Sequence, residues 1–466
     1  MAYDPPIPET RVLAIASHVV HGYVGNKMAT FVMQSLGCDV SAINTVNYSN
    51  HTAYKQVKGT KTTAEQITEL YEGLKQSNLN HFDLLLTGYM PSAEAVQEVG
   101  KIGRDLKFNA STKPGSFFWV LDPVMGDNGK LYIPEDEVPQ YKALLREADL
   151  ILPNQFEAET LSDTTITDLS SLATAIQILH EKYRVPHVII TSLRLTSDNK
   201  TLPSRPPSRD ASAAASNEHS PSDTPKLSAE ISHPSTWRTP DSSLHPPSQA
   251  VEEPENLTII GSTATSDFKP RLFRIDTPQL PLFFSGTGDM FAALTIPRLI
   301  EAVNAAPDPT PGTLLSSLPS WRSPDSVKAE ELPLAKACQK VLASMQAVLG
   351  KTAEKCRKEM EDWDREVERV REGKGEEARR DSEMRRHLAL TRASEVNVVR
   401  FVKEMVCPPE VGRFRARAVH IRGNGEREEG TGEKEEGNED IVVTKRELEE
   451  TKDEAVQRAD TGIAPA

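Results

Sequence analysis

Phe283-Phe284-Ser285-Gly286-Thr287-Gly288-Asp289-Met290-Phe291-Ala292-Ala293 is the stretch on which the fold turns. A short apolar run meets Gly-x-Gly and passes into an alanine-rich segment of helical character. Glycine takes backbone angles closed to other residues and lets a ligand approach the main chain. The first N–H groups of a helix have no partner within it, and the macrodipole favours anions there. Such a turn suits the charge that develops on a transferring phosphoryl group. Asp289, in the same turn, is placed to take a proton from an attacking hydroxyl. Against this, Gly-x-Gly turns are common and an aspartate here also serves as a helix cap, so the motif alone leaves the two readings balanced. No GxxxxGK[ST] occurs, which excludes a Walker-type loop. The HRD and DFG signatures of protein kinases are absent as well.

Outward from this turn, short β-rich apolar runs alternate with amphipathic segments. The runs are Val12–Ala16, Val40–Thr45, Leu84–Thr87, Phe117–Leu121, Leu150–Leu152 and Val188–Thr191, then Leu257–Ile260 and Leu272–Ile275. Helical patterns lie at Ala64–Lys75, Ala93–Leu106, Ser171–Lys182, Thr287–Ile300 and Leu332–Arg357. Continuous apolar strands alternating with helices predict a mostly parallel sheet covered on both faces, an α/β fold of three layers, α/β/α. Ligands of such sheets bind outside the carboxyl ends of the strands. Polar residues gather there: Ser17, Asn47 to Thr52, Gly88-Tyr89, Asp122, Asn154 with Glu157, and Thr191-Ser192. Asp122-Pro123-Val124-Met125-Gly126-Asp127 and Asn154-Gln155-Phe156-Glu157 follow adjacent apolar runs. Carboxylates at two neighbouring strand ends can hold hydrated magnesium, which keeps its waters and takes few protein ligands. Each alone reads better as a loop charge or a cap; together with the Gly286–Asp289 turn they favour phosphoryl transfer.

The chain has 466 residues, of which 38% are hydrophobic, 6% aromatic and 26% charged, with 33 prolines. Four segments account for the low apolar content. Residues 201–256 hold ten of the prolines and read as a disordered Pro/Ser-rich insertion. Residues 303–330 read as a loop insertion, 358–386 as a charged insertion with opposite charges at helical spacing, and 421–466 as a disordered acidic tail broken by Ile441-Val442-Val443. The kinase-like parts are then 11–200, 257–302, 331–357 and 387–420, enough for one interrupted domain. The net charge of −14 falls wholly on the four segments, which carry −4, −1, −2 and −7. An acidic chain without a cationic patch is a poor nucleic-acid binder. No run approaches the ~20 apolar residues of a membrane helix, and Met1 to Thr10 lacks a signal-peptide core. Cys38, Cys338, Cys356 and Cys407 have no CxxC spacing and suit reduced thiols in a cytoplasmic protein.

Several of these pieces have a family look. Ser17-His18-Val19-Val20-His21-Gly22-Tyr23-Val24-Gly25-Asn26 is the most specific. It stands with Asn50-His51-Thr52, Leu86-Thr87-Gly88-Tyr89, Asp122 to Asp127, Pro153-Asn154-Gln155-Phe156-Glu157-Ala158-Glu159 and Gly286-Thr287-Gly288-Asp289. Together they resemble the pyridoxal kinase family of the ribokinase-like superfamily. The resemblance implies a ribokinase-like fold and transfer of the ATP γ-phosphate to the 5′-hydroxymethyl of pyridoxal, pyridoxine or pyridoxamine. It implies Asp289 as catalytic base, with Gly286, Thr287 and Gly288 as the anion hole. Ser17 and Thr52 would contact the pyridine substituents, with Val24, Tyr48 and Tyr89 as walls. ATP would meet Asp122, Asp127, Tyr132, Asn154, Glu157, Thr191, Ser192, Thr287, Leu280 and Leu282. Asp122, Asp127 and Glu157 would serve the magnesium ion, Glu157 with Asn154 acting through water.

The resemblance also implies a homodimer, a cytoplasmic location and a monovalent cation, K+ or Na+. Leu152 stands where the family commonly has threonine, which alters that cation site, and Ser285 replaces a usual apolar residue. His18 and His51 are expected in buried structural roles. Two rivals remain at this level: a hydroxymethylpyrimidine or sugar kinase of the same superfamily, and a non-catalytic protein that binds pyridoxal phosphate.

Overall fold

The computed structural model describes residues 7–196, 199–201, 256–370, 376–422 and 441–444. The insertion expected over 201–256 and most of the acidic tail thus lie outside the described residues.

The first half of the chain alternates as its apolar runs dictate. Strand β1 (Thr10–Val19) leads to α1 (Gly25–Ser35), β2 (Cys38–Tyr48) and the short β3 (Gly59–Lys61). Then come α2 (Ala64–Gln76), β4 (Leu84–Thr87), α3 (Ala93–Asn109) and β5 (Phe118–Leu121). A small hairpin, β6 (Gly126–Asp127) and β7 (Lys130–Leu131), precedes α4 (Glu137–Leu144), β8 (Leu150–Ile151), α5 (Gln155–Ser162), α6 (Leu169–Glu181) and β9 (His187–Leu193). Three helix starts are set by local chemistry: Thr63 and Asp168 close capping boxes on α2 and α6, and Ser92 caps α3.

From Val12 to Ile15 the side chains of β1 alternate between faces. Val12 and Ala14 enter one core with Leu84, Leu86, Phe118 and Val120. Leu13 and Ile15 enter the other with Leu85, Trp119 and Leu121. The run Val12–Ala16, apolar at every position, is therefore covered on both sides, and the period of two sorts its residues between the layers. Helices α2 to α6 build one outer layer; α1, α7 (Thr287–Asn304) and α8 (Pro333–Val370) build the other.

The sheet has eleven strands among the described residues, in the order β13-β12-β11-β10-β9-β8-β5-β4-β1-β2-β3. Pairing is parallel from β2 through β9. β10 (Asn256–Thr263) and β11 (Leu272–Pro278) reverse in turn, so β11 again runs with β9 and ends on the same edge of the sheet. After α8 come α9 (Glu376–Ala393), α10 (Val402–Val406) and β12 (Arg417–Arg422), which pairs antiparallel with β11. The apolar break at 441–443 forms β13 (Ile441–Thr444), parallel to β12. No described helix is long and apolar enough to cross a membrane.

Two segments read as insertions are helical or packed. The 358–386 region carries α8 on to Val370 and supplies much of α9. Residues 305–332 hold three single 3₁₀ turns, and Trp321 anchors them. Its ring stacks on Phe118 at 4.3 Å between centroids, and its Nε1–H donates to the Gly115 carbonyl at 2.8 Å. One buried indole with a satisfied N–H holds down a stretch whose prolines and serines otherwise read as loop.

Candidate active site

Every strand-end residue singled out from the sequence lies on one edge of the sheet. Ser17 sits at a register shift between β1 and β2, at Ala16/His18, a bulge that re-aims a side chain near the strand's end. Asn26 locks that bulge from below: its Nδ2 donates to the carbonyls of Ala16 (3.1 Å) and Ile43 (2.8 Å) and to Asn44 Oδ1 (2.9 Å). Tyr48 ends β2, and Thr52 opens a 3₁₀ turn, Thr52–Tyr54. Tyr89 follows β4, its carbonyl accepting from Thr45 Oγ1 at 2.7 Å. Ser17, Val24, Tyr48, Thr52 and Tyr89 are all half-buried.

The Gly286 turn closes over these residues. Gly286 has φ +80, and a Cβ there would lie 2.4 Å from the Tyr23 carbonyl oxygen and 2.9 Å from Val24 Cγ1. Only glycine lets the two loops meet. No side chain caps α7, in contrast to α2, α3, α5 and α6. The N–H groups of its first turn are therefore left for a ligand, and Asp289 does not spend its carboxylate on capping. The Gly288 position is exposed and Thr287 half-buried. Desolvation pushes Asp289 up to about 6, and a hydrogen bond from the Gly25 backbone N–H works against it.

Opposite stands the acidic side. Asp122 follows β5, with its N–H on the Thr87 carbonyl at 2.8 Å. Its carboxyl is raised well above the ordinary range by desolvation, then by the charges of Glu157 and Asp289. Asn154 caps α5: its side chain accepts from the Glu157 N–H (2.9 Å) and donates to the Gly126 carbonyl (2.8 Å). Glu157 is buried, and its oxygens accept from the backbone N–H groups of Asn154 (2.9 Å), Met125 (2.9 Å) and Gly126 (3.4 Å). Desolvation lifts it to about 8 despite these donors. Glu157 thus shapes the 122–127 loop from within. Thr191 bridges to Asn154, its N–H on the Pro153 carbonyl at 3.0 Å; Ser192 beside it is exposed.

Asp127 lies in the β6–β7 hairpin and accepts from Asn128 N at 2.7 Å. Tyr132 is 47% exposed at the hairpin's end. Leu280 and Leu282 lie between β11 and the Gly286 turn, half-buried against the core. Leu152 is buried and offers hydrocarbon only. Among the described residues no group of three or more His, Cys, Asp and Glu is arranged to hold a metal ion by itself.

His51 is buried as expected, with Nε2 at 2.8 Å from Glu395 Oε1; His18 is half-buried. Glu395 was not legible as a site residue, because it lies 344 positions from its partner. Tyr54 and Asn26 were within quoted motifs or beside them, but only the fold shows what they bond.

The phosphomethylpyrimidine kinase family model matches residues 30–215. A relative from Schizosaccharomyces pombe is 35% identical over 347 residues, covering 74% of this chain and 86% of its own. The pyridoxal kinase of Sus scrofa is 34% identical over 293 residues, covering 62% of this chain and 74% of its own. Among solved structures, a pyridoxal kinase from Leishmania donovani in complex with ADP and pyridoxamine superposes with a TM-score of 0.56 at 24% identity, over 88% of this chain and 99% of that one. That likeness shows the three-layer ribokinase-like fold, and the two sequence relatives carry the rest. The chain belongs to the pyridoxal kinase family.

Proposed function

We propose that this protein transfers the γ-phosphate of ATP to the 5′-hydroxymethyl group of pyridoxal, pyridoxine or pyridoxamine, giving ADP and the 5′-phosphate. The observation that carries the reading is the Gly286–Asp289 turn. An uncapped helix start and a desolvated carboxylate occupy one turn, and that turn is pressed against the Tyr23–Val24 loop that follows Ser17.

In the reaction the alcohol oxygen forms a bond to the γ-phosphorus while the bond to the ADP oxygen breaks. Little covalent work falls to the protein, so positioning and charge stabilisation dominate. The α7 N–H groups and the Gly286–Gly288 backbone face the transferring group. Asp289 accepts the alcohol proton as the new bond forms. Near 6, its carboxyl is ionised at neutral pH yet more basic than an ordinary aspartate, which suits a general base. Ser17 and Thr52 orient the pyridine ring, with Val24, Tyr48 and Tyr89 around it.

The donor set fits a hydrated magnesium ion. The charges of Glu157 and Asp289 both bear on the desolvated Asp122 carboxyl, and a divalent cation there would relieve it. Asp122 would hold it directly and Glu157 through water; the ion would neutralise phosphate charge. Leu152 supports the reading of an altered monovalent-cation site, tested by comparing activity in K+, Na+ and neither. Family membership supports a homodimer and a cytoplasmic location, the first tested by sedimentation and the second by imaging a tagged chain.

The test is pyridoxal phosphate formation, followed by its absorbance with ATP and magnesium. Asp289→Asn should lower turnover by ~10²–10⁴-fold with the fold intact. Near-normal turnover in the purified variant would overturn the mechanism. Faster phosphorylation of hydroxymethylpyrimidine or ribose in competition would overturn the substrate.

A further inference from the structure

Phosphoryl transfer as described asks nothing of the C-terminal helices α8 and α9. Yet they reach the vitamer side of the site. Glu395, two residues beyond α9, places Oε1 at 2.8 Å from His51 Nε2 and 3.0 Å from the Tyr54 hydroxyl. Its side chain is 13% exposed and that of His51 9%. On α9 itself, the His387 Nε2–H donates to the Ala53 carbonyl at 2.9 Å. Gly22, with φ +95, lies directly against the carboxylate: a Cβ there would stand 2.7 Å from Glu395 Oε1. Three residues of the 51–54 turn and one of the 17–26 loop are thus held from a single direction.

The same hairpin touches the other wall. Cys356, Met360 and Ala393 form a small core with Trp363, Ala389 and Leu390, and Leu282 packs against it. One pair of helices contacts both the vitamer turn and the loop leading to Gly286.

The chemistry at Glu395 is directional. A carboxylate only accepts, so Nε2 of His51 carries the proton and Tyr54 donates. The buried Nδ1 of His51 has no hydrogen-bond partner among the described residues, so Glu395 alone orients the ring. Burial opposes the charge on Glu395, but the hydrogen bond from His51, the attraction of its ring when protonated and the bond from Tyr54 outweigh it and keep the group below the ordinary carboxylate range.

We propose that Glu395 is a positioning residue for the vitamer site: it fixes the His51 tautomer and holds the turn that presents Thr52. The inference rests on the functional reading above for what the turn presents. It does not rest on it for the tautomer.

The experiment compares full-length wild type with Glu395→Ala and Glu395→Gln. Steady-state kinetics are run with pyridoxal and ATP varied separately, and the histidine ring nitrogens are read by ¹⁵N NMR. Loss of one charge-assisted hydrogen bond corresponds to about a tenfold change. Glu395→Ala should raise KM for pyridoxal about tenfold or more, with KM for ATP within about twofold. Glu395→Gln keeps one acceptor and should fall between. The His51 signal should report the Nε2–H tautomer in wild type and a mixture in both variants. A rise in both KM values together, or a fall in kcat alone, would reduce Glu395 to a general structural role and overturn the proposal. So would an unchanged His51 tautomer. If the variants show the tautomer shift but the wild type makes no pyridoxal phosphate, the functional reading is overturned while the Glu395–His51 linkage is upheld.

Discussion

Replacing Gly286 by alanine tests the site at its tightest point. Two costs can be worked from the geometry. The backbone stands at φ +80, where an L side chain costs ~1–2 kcal/mol. The new Cβ would start 2.4 Å from the Tyr23 carbonyl oxygen, which belongs to backbone and cannot swing away. Ordinary contact needs the atoms to separate by roughly another 1 Å, and a misplacement of that size costs about 10²-fold in rate when it falls on reacting groups. Here it does, because Thr287, Gly288 and Asp289 follow directly. We expect kcat/KM for pyridoxal to fall about 10²-fold and stability to fall by roughly 1–3 kcal/mol, short of unfolding a protein of ordinary stability. Gly288→Ala supplies the contrast, since a Cβ there meets nothing within 4 Å. It should leave stability unchanged or raise it by ~0.5–1 kcal/mol. Pyridoxal phosphate formation and urea midpoints measure both. A Gly286→Ala enzyme with wild-type turnover and wild-type stability would refute the claim that the two loops are locked through this residue.

Three further outcomes are expected. A general base at about 6 must be ionised, so log(kcat/KM) should rise with pH up to about 6 and level above it, and this limb should vanish in Asp289→Asn. Glu137 is fully buried, with no hydrogen-bond partner for either oxygen among the described residues, and desolvation raises it to about 7. Its folded pKa exceeds its unfolded one, so the native state binds more protons and loses stability as pH rises from 4.5 to about 7; Glu137→Leu should stabilise by on the order of 3 kcal/mol at pH 8 and by little at pH 4, read from urea midpoints. Trp321→Ala should cost about 3–5 kcal/mol, with the urea midpoint lowered and the slope unchanged, because it removes the stack on Phe118 and the bond to Gly115.

The layers were legible because period-two apolar strands leave little alternative. Val12 to Ile15 could only be buried on both faces, and both faces are occupied. The site was legible where chemistry sits at a strand end in sequence, as with Asp122, Asn154 and Asp289. What was not legible is how each polar atom is spent. Nothing in Asn154-Gln155-Phe156-Glu157 says that three backbone N–H groups consume the glutamate. Nothing in Gly286-Thr287-Gly288-Asp289 says that α7 goes uncapped while α2, α3, α5 and α6 are capped. Trp321 was hidden by the prolines and serines around it, whose composition outweighs one indole in any window average. Glu395 was hidden by distance along the chain.

That distance has a consequence during synthesis. Asp289 and the whole vitamer turn leave the ribosome before Glu395 and before β12, which pairs with β11 through Leu272 and Val419. At ~5–20 residues per second, the interval between Asp289 and Glu395 lasts about 5–20 s. Throughout it the nascent chain carries its base and its glycines, but the 51–54 turn still lacks its bonds to Glu395 and His387. A product released early, ending before α9, would have the residues of a kinase without the fastening that aligns them. Premature termination should therefore yield a chain that sequesters little vitamer, and completion of the last helices marks the point at which the enzyme comes into service.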